Sequence, residues 1–170
     1  MPRITEIDVD NASQEVKNVI SEHLARGHRL TAEKRTLLHN VKAFLALEES
    51  SYALDDELQR LIGKRAADFY EYAISVQNDC LVCSAYFTNL LKKNNIDFET
   101  FDFTERENLL IEYGRAIAKD PKGVSDELFK RLKKEFTEEE IVVITTMGVL
   151  MIANNYLNDI LQVQPEEIVD

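Results

Sequence analysis

The chain carries two cysteines, and they stand in one short run, Cys80-Leu81-Val82-Cys83. Residues three apart on a helix share a face, so the two sulfurs can come within disulfide range. If the run opens a helix, the N-terminal dipole and its free N–H groups favour thiolate over thiol. The thiolate is the form that attacks peroxides and disulfides. Two other readings of the pair stay open. Cysteine also serves as a small buried apolar residue. Zinc is the second, but a structural zinc site wants four ligands. Only His23, His28 and His39 remain to complete one, and none lies at a finger-like spacing from the pair.

Upstream, Asp68, Glu71, Tyr72 and Ser75 stand at helical spacing and share one face. A carboxylate on that face that meets the pair can accept a thiol proton as general base. The plain alternative is a solvated acidic patch.

The elements that must position these residues all read as helix. Ser13 opens a run with Val16, Val19, Ile20 and Leu24 that ends near Gly27. Thr31 caps a second helix carrying Leu37, Leu38, Val41, Phe44 and Leu45. Leu54 to Asn78 is a third segment, two helices or one bent at Gly63. A fourth starts with Asn78 or Asp79 as cap, which puts both cysteines in its first turns, and runs to about Lys93. Thr104 with Glu107, and Thr137 with Glu140, have the spacing of capping boxes, in which each side chain satisfies a free backbone N–H. They open a fifth helix ending before Asp120-Pro121 and a last one running to about Leu161; Ser125 caps a sixth between them. The last helix is apolar nearly all round, from Ile141 to Ile152, so it should be buried on most sides, part of that burial coming from another subunit. Asn154, Asn155 and Asn158 follow on it, suited to hydrogen bonds between helices.

With 170 residues, the chain suits one domain, 1–170: N-terminal helices over 13–50, a cysteine-bearing core over 54–95 and C-terminal helices over 104–162. Five glycines and three prolines are too few for the many turns of an all-β fold. The net charge of −11 repels phosphate, and the one dense basic run, Lys130, Arg131, Lys133 and Lys134, sits among carboxylates; nucleic acid is not expected as a partner. No signal peptide is visible, and the longest apolar stretch, Ile141 to Ala153, falls short of the ~20 residues of a spanning helix. The expectation is a cytoplasmic protein with no membrane partner, its thiols kept reduced.

From Gly63 to Asn95 the chain resembles the core of alkylhydroperoxidase D-like proteins of the carboxymuconolactone decarboxylase superfamily. That family's pattern is Glu, eleven residues, Cys, two residues, Cys, three residues, His, with an apolar-Ser step and an Asn between the Glu and the first Cys. Here stand Asp68, Ile74-Ser75, Asn78, Cys80, Cys83 and Phe87. The stretch Thr104 to Val163 is similar to the second half of many members, with Ser125-Asp126-Glu127-Leu128, Thr137-Glu138-Glu139-Glu140, Asn154-Asn155 and Asn158. The resemblance implies an all-α bundle of about seven helices that assembles as a homo-oligomer. It also implies catalytic roles: Cys83 attacks a hydroperoxide, Cys80 resolves the sulfenic acid as a disulfide, and Asp68 stands where the family Glu relays protons. Glu71, one turn away, is a further candidate base. A thiol reductant, in some members a lipoyl-bearing protein, supplies electrons; neither cofactor nor metal is needed.

Two departures bear on activity. Asp68 is one methylene shorter than Glu, and Phe87 replaces the His, so it can neither take a proton nor donate one. General acid–base help is worth ~10²–10⁴-fold, so turnover should be weak unless another group substitutes. Glu71, Tyr86 and His39 are the candidates. The decarboxylase branch generally lacks the cysteine pair and would want a cation for its anionic substrate; Arg65 alone does not favour it. The sequence therefore points to a thiol–disulfide oxidoreductase acting on hydroperoxides or disulfides. The alternative is a non-catalytic homo-oligomer of the same fold with a vestigial site.

Overall fold

The computed structural model describes residues 1–166. Among them are eight α-helices and no strand: α1 Gln14–Ala25, α2 Ala32–Leu37, α3 Val41–Ile62, α4 Lys64–Gln77, α5 Leu81–Lys93, α6 Glu105–Lys119, α7 Asp126–Glu135 and α8 Glu138–Leu161. The side chains of Ser13, Thr31, Thr104, Ser125 and Thr137 all cap as their spacing predicts, and both capping boxes form.

The count exceeds the expected seven by one, because the segment around Gly63 is two helices. Gly63 has φ +86°, a conformation that only glycine adopts without a Cβ penalty, and it ends α3 and starts α4. Two other boundaries move. The helix expected from Thr31 through Leu45 breaks after Leu37, because the Asn40 side chain accepts the Ala43 N–H at 3.0 Å and restarts the chain as α3. In consequence α3 runs straight through residues 50–54, where a connection was expected between the N-terminal helices and the core.

Helix α4 is the centre of the bundle, packed by α3, α5, α6 and α8. Its Tyr70 is fully buried and donates its hydroxyl to the Ile144 carbonyl at 2.8 Å, tying α4 to α8. Gly148 permits that approach: a Cβ there would lie 2.1 Å from the Tyr70 hydroxyl. A second cluster joins Ile20, Leu37, Leu38 and Phe44 of the N-terminal helices to Leu157 of α8.

Helix α8 reaches 24 residues and is long and apolar enough to cross a membrane by length and composition, more than the Ile141–Ala153 stretch suggested. One face, with Ile141, Ile144, Met147, Met151, Asn155 and Asn158, is buried against the rest of the chain. The opposite face carries Val142, Thr146, Val149, Ala153, Tyr156 and Ile160, all exposed and spaced alternately four and three apart. The expected burial of α8 on most sides is therefore half met within one chain.

Candidate active site

The two cysteines are free thiols at the start of α5. Neither Asn78 nor Asp79 caps that helix. Asn78 ends α4, Asp79 turns the chain with φ 54°, and Cys80 itself is the N-cap. The Cys80 sulfur accepts the Cys83 N–H at 3.4 Å. The helix thus begins one residue later than expected, with Cys80 at its cap and Cys83 in its first turn.

This position sets the electrostatics. The Cys83 thiol and backbone N–H both donate toward Cys80, and together they hold the Cys80 thiol below its ordinary range against the opposing effect of burial. The same contact pushes Cys83 well above its ordinary range, with burial next in size. Cys80 is sealed at 0% exposure and Cys83 retains 8%. From α8, the Asn158 amide donates to the Cys83 sulfur at 3.4 Å and favours its charged form.

Asp68 and Glu71 are both buried on α4. Asp68 pairs with Lys64 at 3.1 Å, and burial still raises its carboxyl. Glu71 is raised further, by burial and then by Asp55 and Asp68, and one of its oxygens has no partner. Both carboxylates, with Asp55 and Lys64, act on Tyr86, which is half exposed. The two predicted residues therefore share one buried face with each other. The carboxylates bearing most on the sulfurs are different: Glu33 of α2 acts on both thiols, and Asp159 acts on Cys80.

Glu33 was not legible as a site residue. It stands fifty residues upstream of Cys83 in a six-residue helix, and its charge acts on the thiol only through the fold. Burial lifts its carboxyl to about 7, while the polar Asn158 side chain works the other way. Next to it, Lys34 pairs with Glu48 at 2.9 Å, and His28 stacks on Tyr52 with ring centroids 3.6 Å apart. A cavity of about 150 Å³ opens there, lined in part by His23, His28, Phe44, Glu48 and Tyr52.

Phe87 is a core residue, 5% exposed and packed in the main apolar cluster. His39 lies elsewhere: it is exposed and its ring contacts the Thr5 carbonyl at 2.7 Å. The Arg65 guanidinium is engaged by Glu107 at 2.7 Å. Asn155 is fully buried and neither of its amide atoms has a partner; Asn78, Asn154 and Asn158 each leave one buried polar atom unpaired. Of these four, Asn158 reaches the Cys83 sulfur and Asn78 ends α4 just before the cysteine turn. Among the described residues no three His, Cys, Asp or Glu side chains cluster as a metal site.

No family model matches the chain, and no curated protein matches it. Solved structures do. An uncharacterized peroxidase-related protein from Ralstonia eutropha, described as an alkylhydroperoxidase AhpD core, superposes with a TM-score of 0.74 at 17% identity, over 98% of this chain and 93% of that one. An uncharacterized peroxidase-related protein from Silicibacter superposes with a TM-score of 0.74 at 12% identity, over 96% and 92%. The fold is that of the alkylhydroperoxidase D core, as the sequence resemblance implied.

Proposed function

We propose that this protein is a thiol–disulfide oxidoreductase of the peroxidase kind, acting through Cys83 and Cys80. The observation that carries the reading is the turn itself. Both sulfurs share the opening of α5, and the more exposed one, Cys83, receives the Asn158 amide. The names of the two structural neighbours agree with a peroxidase-related chemistry.

Cys80, the thiol held low, takes the Cys83 proton along their contact, and the Cys83 thiolate so formed attacks the outer oxygen of a hydroperoxide; an S–O bond forms, the O–O bond breaks, and the leaving alkoxide takes a proton from solvent to become an alcohol. Cys83 is now a sulfenic acid. The Cys80 sulfur attacks it, the disulfide closes, and hydroxide leaves with the Cys80 proton as water. Two electrons from a thiol reductant, such as a lipoyl-type protein, then restore the dithiol in a reducing compartment such as the cytoplasm. No cofactor enters these steps. A second copy of the chain suits the exposed stripe of α8, whose four-three spacing is that of a helix-pairing seam.

Mass spectrometry of the reduced protein after a brief stoichiometric pulse of organic hydroperoxide tests this reading, with Cys83→Ser beside it. The expected result is rapid loss of two hydrogens in the wild type and none in the variant. Survival of both thiols would instead favour a non-catalytic oligomer of the same fold. Phe87, buried where an acid–base group would be needed, is that reading's support.

A further inference from the structure

An amide side chain offers a donor and an acceptor, and at Asn158 only the donor is engaged. The Asn158 nitrogen donates to the Cys83 sulfur at 3.4 Å. Its carbonyl oxygen, Oδ1, is buried and has no hydrogen-bond partner among the described residues. The residue is 1% exposed, so bulk solvent does not serve that oxygen either. A buried acceptor without a donor is an exception in folded proteins; its usual meanings are strain, a catalytic role or a bound small molecule.

We infer that Asn158 Oδ1 receives the O–H of a hydroperoxide and so holds its outer oxygen against the Cys83 sulfur. This rests on the peroxidase reading above and narrows it. The substrate carries a free O–H on the attacked atom, which hydroperoxides have and disulfides lack.

The distances permit this with the amide where it stands. The nitrogen and oxygen of one amide are about 2.3 Å apart, so Oδ1 lies within about 5.7 Å of the sulfur. A reacting oxygen stands ~3–3.5 Å from its nucleophile, and an O–H···O bond spans ~2.7–2.8 Å. Together these spans reach ~6 Å, so one oxygen atom meets both groups whichever way the amide plane is turned about its contact with the sulfur. Direction agrees as well. In attack along the O–O bond, the O–H of the outer oxygen points sideways from the line of attack. Its acceptor must flank the sulfur, and Oδ1 does so because its own amide nitrogen touches the sulfur.

The hydroxyl keeps its proton through both steps. Attack gives two electrons from the Cys83 sulfur to the O–O bond, which breaks as the S–O bond forms, and solvent protonates the alkoxide. The hydroxyl now belongs to the Cys83 sulfenic acid, and Oδ1 still accepts from it. When Cys80 attacks the Cys83 sulfur, the same oxygen leaves as hydroxide and takes the Cys80 proton to become water. One carbonyl thus follows one O–H from hydroperoxide to water.

The two halves of the amide have different signatures. The donor stabilises the thiolate, so it aids attack on every electrophile. The acceptor aids only an electrophile with an O–H on the attacked atom. Hydrogen peroxide and cumene hydroperoxide have one; iodoacetamide does not.

The experiment measures the three rates at pH 8 on the full chain for wild type, N158L and N158D. In N158L alkylation should slow through loss of the donor, and both hydroperoxides should slow by a further ~10-fold, the worth of one hydrogen bond. N158D regains an acceptor oxygen, so its ratio of oxidation to alkylation should return to within ~3-fold of wild type. N158A takes the place of N158L if that chain does not fold. Hydroperoxide rates that fall only as far as alkylation would overturn the role of the carbonyl and leave the peroxidase reading standing. So would an extra loss for cumene hydroperoxide alone, the mark of a blocked path, or a ratio still low in N158D. A wild type that alkylates but is inert to both hydroperoxides would overturn both readings.

Discussion

Asn158 and Cys83, seventy-five residues apart in sequence, meet in the bundle interior with the amide nitrogen 3.4 Å from the sulfur. The amide donates, so it stabilises the thiolate and not the thiol. Asn158→Leu keeps most of the volume and removes the donor. A hydrogen bond to a charged group is worth ~1.5–3 kcal/mol, or roughly 10- to 100-fold in thiolate population. Alkylation of Cys83 by iodoacetamide at pH 8, followed by mass spectrometry, should slow by about that factor. An unchanged rate would remove Asn158 from the site.

Phe87 lies one helical turn beyond Cys83, on the same face of α5. Phe87→His restores an acid–base group at the price of a buried apolar ring. Urea denaturation should show a loss of ~2 kcal/mol or more, from poorer packing and an imidazole held out of water. Hydroperoxide oxidation should rise, by at least ~10-fold if the ring reaches the sulfur. Loss of stability with no gain in rate would show that the position serves the core alone.

Stability should depend on pH in two opposite limbs. Glu33, Asp68 and Glu71 have carboxyls raised by burial, so the folded chain binds their protons more tightly than the unfolded one. Their contribution is full at low pH and is lost as pH rises; for Glu33 the window runs from 4.5 to about 7. Glu107 and Glu140 are lowered, with their capping boxes and arginine partners outweighing burial, and their contribution is lost as pH falls below 4.5. Urea melts should therefore give a maximum between these limbs, with the protein less stable at pH 8 than at pH 5.5. Glu71→Gln should flatten the alkaline limb. A wild-type curve rising from pH 5.5 to 8 would contradict the buried state of these carboxyls.

The exposed stripe of α8 makes a separate prediction. Val149 lies at its middle, 58% exposed, so a charge there costs a monomer little. Val149→Glu should leave the melting temperature of the isolated chain nearly unchanged. It should lower the mass seen by sedimentation or light scattering if copies pair through this stripe. An equal mass for both proteins would direct attention to another face.

The helix starts were legible because capping is local chemistry. Ser13, Thr31, Thr104, Ser125 and Thr137 carry their signal within three residues, and all five cap. The cysteine pair was legible for the same reason. Asn40 was hidden because the apolar pattern of Leu37, Leu38, Val41 and Phe44 continues through the break. Cys80 was passed over as a cap because Asn78 and Asp79, both stronger cap formers, stand just before it; the left-handed turn at Asp79 removes them from that role. Glu33 had no signal at all. Its charge acts on Cys80 and Cys83 from α2, and an effect across that range of sequence has no periodicity to betray it.

The capping role of Cys80 ties two equilibria together. In the dithiol, its sulfur holds the Cys83 N–H, in the first turn of α5. Any bond to that sulfur changes what the N–H can find, so the electron affinity of the pair and the fraying of the helix end are linked thermodynamically. A substitution that loosens the first turn of α5, without touching either cysteine, would register as a shifted midpoint in a redox titration. In reverse, the exchange of the Cys83 amide hydrogen with solvent becomes a built-in report of which redox state the chain is in.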